Sequence, residues 1–247
     1  MNHRIILSIV LMTLLLAPAA MATELVKNGD FEGVKNGAAL RRDDNGQDWY
    51  ESRKDKDGRE LLIMSTKKVG GNKTKKAMIK AHPELNTYLS QRLSASQTGM
   101  LTVKYDIYLK YIRPEYNRSG FFFAGKSSDK KNGPNSTGKE RFAFVAFEHS
   151  DDGKVQLFVR EGKKSWDDRT VLVTGLELKE WYTVTVVMDI AAATYTVQLD
   201  DGAVSAPLEA FRTSKKKAPT KISHLSFASW NDGAGSFFID NVSAIAE

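Results

Sequence analysis

The chain has 247 residues, no cysteine, 36 Lys and Arg against 30 Asp and Glu for a net charge of +6, and 41% hydrophobic with 10% aromatic residues. The missing cysteine excludes a disulfide framework and a lipid-carrying cysteine, so an exported form must be held by its core or by a metal. The apolar content suffices for a sizeable core, and no repeat or low-complexity tract points to an array.

The first residues have the form of a secretory signal: Arg4, an apolar run from Ile5 to Leu16, and the small-x-small site Ala20-Met21-Ala22. Cleavage there starts the mature chain near Thr23 and, with Arg4 gone, lowers the charge from +6 to +5. The run is shorter than the roughly 20 residues that span a bilayer, so the expected destination is periplasmic or secreted, in a bacterium, without an anchor. Residues 23–247 are expected to form one β-sandwich domain.

From Val34 to Glu60 the chain is charged and irregular, with turns at Asp43-Asp44-Asn45-Gly46 and Asp55-Lys56-Asp57-Gly58 around the aromatic pair Trp49-Tyr50. Trp49 is either a sugar-stacking platform or a plug at the sandwich edge. Short strands are predicted at Leu61 to Ser65, Ala77 to Ala81 and Tyr88 to Leu93. Leu101 to Ile112 alternates most clearly: Leu101, Val103, Tyr105, Ile107, Leu109 and Tyr111 share a core face, while Lys104, Asp106, Tyr108 and Lys110 line the other. That second row suits either a sugar-binding sheet face or plain solvent.

Phe121 to Ala124 and Phe142 to Glu148 are aromatic-rich strands joined by a long glycine-containing loop. Ser150-Asp151-Asp152-Gly153 turns the chain into Lys154 to Arg160. Trp181 to Ile190 and Tyr195 to Leu199 make a second hairpin, and Ile222 to Trp230 and Ser236 to Ala244 complete the set. Many short strands and no amphipathic helix indicate an all-β sandwich. The lysine clusters at Lys67-Lys68, Lys73 to Lys76, Lys130-Lys131, Lys163-Lys164 and Lys215 to Lys217 read as solvated turns, with an anionic polymer as the alternative partner.

In the last strand Asp240 shares a side with Phe238 and Val242, the side expected to be buried, so its carboxylate needs a dedicated partner. The expected partner segment is Asn28 to Gly33 at the other end of the chain. Asp30, Glu32 and Asp240 together suit a structural Ca²⁺, which takes six to eight oxygens, and Gly29 and Gly33 permit carbonyl ligands. The plainer readings are a Glu32–lysine pair and Asp240 accepting backbone N–H groups. Asp106, Glu148, Glu177 and Glu180 show no paired-acid signature of a glycosidase. His149, Arg118, Tyr116 and Lys104 supply the residue types of a polysaccharide lyase without a recognisable motif, and His82 and His224 stand too isolated for metal ligation. Nucleic-acid binding is disfavoured because the lysines lie in turns rather than among aromatics on one face.

Leu25-Val26-Lys27-Asn28-Gly29-Asp30-Phe31-Glu32-Gly33 and Phe238-Ile239-Asp240-Asn241-Val242 resemble the two ends of jelly-roll carbohydrate-binding modules of the galactose-binding-like type. Trp181 to Gly202 is similar to a hairpin of concanavalin A-like domains. The resemblance implies two antiparallel sheets, a structural Ca²⁺ near the meeting termini held by Glu32 and Asp240, and glycan binding on a sheet face or at loop ends. Sugar recognition needs aromatic faces, and Trp49, Tyr108, Trp166 and Trp230 are the expected ligand-binding residues. The function expected is a secreted, non-catalytic glycan-binding protein that recognises a poly- or oligosaccharide, which is anionic if the lysine clusters face it. A lyase or glycoside hydrolase on the same scaffold, and a cell-surface adhesion protein, are the alternatives.

Overall fold

The computed structural model describes residues 22–33, 48–52, 62–65, 67–81, 87–113, 118–127, 140–162, 169–212, 217–229 and 235–247. The signal-like segment lies outside these residues. Among the described residues fifteen strands follow in chain order: β1 Thr23–Glu24, β2 Tyr50–Ser52, β3 Leu62–Ser65, β4 Lys76–Lys80, β5 Thr87–Gln97, β6 Met100–Ile112, β7 Arg118–Gly125 and β8 Arg141–His149, then β9 Val155–Val159, β10 Thr170–Leu176, β11 Trp181–Asp189, β12 Thr194–Leu199, β13 Leu208–Glu209, β14 Ile222–Ser229 and β15 Gly235–Ala246. An eight-stranded sheet runs β13-β12-β11-β6-β15-β4-β3, with β1 also on β15; a seven-stranded sheet runs β10-β9-β8-β7-β14-β5-β2. Every pairing is antiparallel. The protein is a jelly-roll β-sandwich. Among the described residues no helix is long and apolar enough to cross a membrane.

The core fills the space between the sheets. Leu101, Val103, Tyr105, Ile107 and Leu109 of β6 are fully buried, and the Tyr105 ring lies 5.0 Å from those of Phe122 and Phe227 on the opposite sheet. Burying each such side chain contributes about 1.5–3 kcal/mol. The expected alternation fails only at Tyr111, which is 48% exposed while Ile112 is buried. A register shift opposite Ser236 and Phe237 leaves Lys110 without a partner residue and changes the parity.

The two ends meet as expected. Thr23 lies opposite Ala246 and Glu24 opposite Ile245, Leu25 N donates to Ala244 O at 2.8 Å, and Val242 N donates to Gly29 O at 2.9 Å. A Cβ at Gly29 would collide with the Val242 carbonyl, so only glycine lets this turn approach β15 so closely. Phe238, Asp240 and Val242 are buried as expected, but so are Phe237 and Ile239, and it is these that face the main core. Phe237 and Ile239 enter the main core, and a bulge at Asn241, with φ of 49°, brings Val242 and Ala244 to the same side. Phe238 and Asp240 therefore sit on the outer face of the sheet.

Candidate functional site

Asp240 is buried on that outer face beneath the turn that precedes β4. Its Oδ2 accepts hydrogen bonds from Asn72 Nδ2 at 2.8 Å and Thr74 Oγ1 at 2.9 Å, and its Oδ1 accepts the Asn241 backbone N–H at 2.9 Å. Beside it Lys76, 0% exposed, donates from Nζ to the carbonyls of Lys67 at 3.4 Å, Asn72 at 3.5 Å and Thr74. Burial pushes the Asp240 carboxyl up and the Lys76 ammonium down; the Asn72, Asn241 and Thr74 hydrogen bonds and the mutual attraction of the two charges oppose this.

The three carboxylates expected to hold Ca²⁺ do not gather. Asp30 Oδ1 accepts the Glu32 N–H at 3.1 Å, and Glu32 Oε1 accepts the Lys75 N–H at 2.7 Å. Among the described residues no three acidic or histidine side chains come together to hold a metal. The oxygens a hard cation would need are already directed at N–H and O–H donors, and an ammonium faces the carbonyl cluster. These residues do not fit a Ca²⁺ site. The Lys76 ammonium caps the carbonyls of its own turn and attracts the Asp240 carboxylate beside it.

The row of polar groups on β6 points outward as expected, but it is roofed at Tyr108. That ring lies 5.4 Å from Trp181 and edge-on to Phe238 at 6.1 Å, and Trp181 Nε1 donates to Val69 O at 2.9 Å. Gly70, with φ of 52°, lies against the pair so closely that a Cβ would come within 2.5 Å of Tyr108 and 2.8 Å of Trp181. Gly70→Ala is expected to cost about 2 kcal/mol in chemical denaturation, combining the steric and left-handed backbone penalties. Gly71→Ala, at a φ of 86° but with nothing within 4 Å of its Cβ, should cost only about 1 kcal/mol.

Of the other expected platforms, Trp49 is interior and corresponds to the plug reading. It is 0% exposed, its ring lies 5.3 Å from Phe31 and 6.2 Å from Phe227, and its Nε1 donates to Asn28 O at 3.0 Å. Trp166 and Trp230 lie outside the described residues, as do Tyr116 and His82. Of the described lyase-type residues, Lys104 lies apart from His149 and Arg118. His149 faces the carbonyls of Ile112 and Lys154, Arg118 is held by Glu148, and Lys104 lies on the opposite sheet.

A second cluster lies on the outer face of the seven-stranded sheet. β7 and β8 are buried on both sides: Phe122, Ala124, Val145 and Phe147 enter the main core, whereas Phe121, Phe123, Phe144, Ala146, Phe158 and Ala228 form a separate apolar floor. At one end Glu148, fully buried, accepts from Arg118 at 3.3 Å, from Gln156 at 2.7 Å and from Arg169. Ser90 and Ser226 share a 2.8 Å hydrogen bond across β5 and β14. At the other end Phe211 stacks on Phe144 at 6.4 Å, and the guanidinium groups of Arg141 and Arg160 lie over both rings. Tyr88, Arg118, Arg160 and Arg169 form a half-buried rim. No expectation from the sequence assigned this face a role. Its signal was the apolar run of Phe121 to Ala124 and Phe142 to Phe147, which lacks alternation, as do strands buried on both faces.

No protein-family model matches the chain, and none of the curated proteins matches it in sequence. Its fold is that of the lectin-like jelly rolls. The Emp47p carbohydrate recognition domain is similar at a TM-score of 0.51 and 12% identity, over 92% of this chain and 98% of that one. A variant of the alginate lyase Aly36B, in complex with an alginate tetrasaccharide, is similar at a TM-score of 0.51 and 12% identity, over 90% and 96%.

Proposed function

We propose that the protein is an exported glycan-binding β-sandwich that holds a poly- or oligosaccharide along the outer face of the seven-stranded sheet. The observation that carries this reading is the half-buried rim of Tyr88, Arg118, Arg160 and Arg169, set on a floor of phenylalanines that is itself fully buried. Such a rim offers a flat ring for the apolar side of a pyranose and N–H donors for its oxygens. The fold shared with a carbohydrate recognition domain and with an alginate lyase agrees with a sugar ligand. Trp166 and Trp230 remain proposed contacts on the sequence argument alone.

Affinity electrophoresis in gels containing different polysaccharides tests the assignment. Tyr88→Ala should lose retention on the gel that retards the parent, whereas Lys104→Ala with Lys110→Ala, on the opposite outer face, should keep it. Retention kept by the first and lost by the second would move the site to the other sheet. A second reading, a polysaccharide lyase, is favoured by the presence on that one face of a tyrosine and several arginines, the residue types that supply a base and charge-neutralising groups. It requires growth of the ultraviolet absorbance of an unsaturated product from a uronate polymer.

A further inference from the structure

Arg141 opens β8 and is 3% exposed. Its guanidinium carbon lies 4.4 Å from the Phe211 ring centroid, 5.1 Å from that of Phe144 and 5.2 Å from that of Phe123. Its Nε and Nη1 are buried and have no hydrogen-bond acceptor among the described residues. Arg160 places a second guanidinium over the same Phe144 and Phe211 rings, at 5.7 Å and 5.2 Å.

The described carboxylates near these elements are engaged elsewhere. Glu148 holds Arg118, Arg169 and Gln156 at the far end of the face. Glu161 accepts from Thr170 Oγ1 at 2.8 Å and the Glu209 N–H at 3.3 Å, and Glu209 takes Arg212. Ring contacts return only part of what it costs to bury a cation with unmet N–H groups. Burial, and then the neighbouring Arg160 charge, push the Arg141 pKa down to about 9, so it is still a cation at neutral pH but a disfavoured one.

We propose that Arg141 and Arg160 form an anion subsite that takes a carboxylate or sulfate group carried by the glycan. An anion beside the Arg141 guanidinium supplies the acceptors missing at its Nε and Nη1 and offsets the repulsion of the Arg160 charge, and the planar fork of arginine matches either group through paired N–H···O bonds. The subsite rests on the reading of this face as the glycan site and adds to it the ligand's chemical class, an acidic sugar.

The test follows the arginine Nε–H resonances of the full chain in ¹H–¹⁵N spectra during titration with sodium glucuronate, sodium sulfate and glucose, at low salt and at physiological ionic strength. One of the two anions should move the Arg141 Nε–H signal at both salt levels, and glucose should leave it in place; which anion acts tells carboxylate from sulfate. Arg141→Gln and, separately, Arg160→Gln should each weaken binding at least tenfold. Arg141→Lys, which keeps the charge and loses the fork, should recover only part of it. An Arg141 signal unmoved by both anions, or anion binding unchanged in both glutamine variants, overturns the subsite. Neutral polysaccharides retained equally by the parent and by Arg141→Gln would leave the glycan site standing without the subsite. Free anions that shift Arg141 while no polysaccharide is retained would leave the subsite standing without the glycan site.

Discussion

Replacing Lys76 by methionine is expected to lower the unfolding free energy by about 1–3 kcal/mol, the usual cost of leaving buried acceptors without their donor. Methionine keeps the apolar stem but removes the ammonium that faces Asp240 and the carbonyls of Lys67, Asn72 and Thr74. Asp240 is then left buried with neutral donors only. Asp240→Asn should also destabilise, by stranding the lysine. The double variant should cost less than the sum, because the attraction between the two buried charges is then lost only once. Urea unfolding of the four proteins measures the coupling, and strict additivity would mean that the two charges do not interact.

The pH dependence has a definite sign. Burial already raises the Asp240 pKa above its ordinary value, so the folded chain takes up a proton more readily than the unfolded one. The protonated form gives its full stabilisation below the ordinary carboxyl range, and this is lost as pH rises through the raised pKa. Removing the Lys76 charge raises that pKa further. The deficit of Lys76→Met should therefore shrink as pH falls from 7 toward about 4. With Lys76 in place, neither a chelator nor millimolar Ca²⁺ should move the thermal midpoint. A rise on adding Ca²⁺ would return the metal to this seam.

Trp49→Ala is expected to cost about 3–5 kcal/mol, the range for emptying a fully buried aromatic site. The indole joins the N-terminal turn to the seven-stranded sheet through Phe31, Phe227 and its hydrogen bond to Asn28 O. Trp49→Phe should retain most of the packing and lose about 1 kcal/mol with the hydrogen bond. Glycan retention by Trp49→Phe, measured well below its melting temperature, should equal that of the parent. Lost retention with an intact fold would restore Trp49 as a ligand platform.

The strands were legible wherever one face is wet. β6 and the β11–β12 hairpin alternate because one side packs on the other sheet and the other meets solvent. The meeting of the two ends was legible too, from the glycine-bearing turn at the first strand, but Asp240 takes Asn72 and Thr74 rather than the expected Asn28–Gly33 segment as its partners. β10 was not foreseen: its pairing with β9 shifts register twice, and it shows no clean period. On β7 and β8 the phenylalanines were visible, but not that alternate ones face away from the main core.

Local order thus followed from the sequence by itself, because strand periodicity and turn chemistry depend on residues adjacent in the chain: an all-β sandwich with its ends joined. Tertiary structure decided the faces and the partners. One residue in the left-handed region at Asn241 turned Val242 to the same side as Phe237 and Ile239, and a turn folded over the sheet buried Lys76 beside Asp240. Arg141 was left without an acceptor by residues remote in sequence, and no spacing rule along the chain encodes which charges such contacts bring together or hold apart.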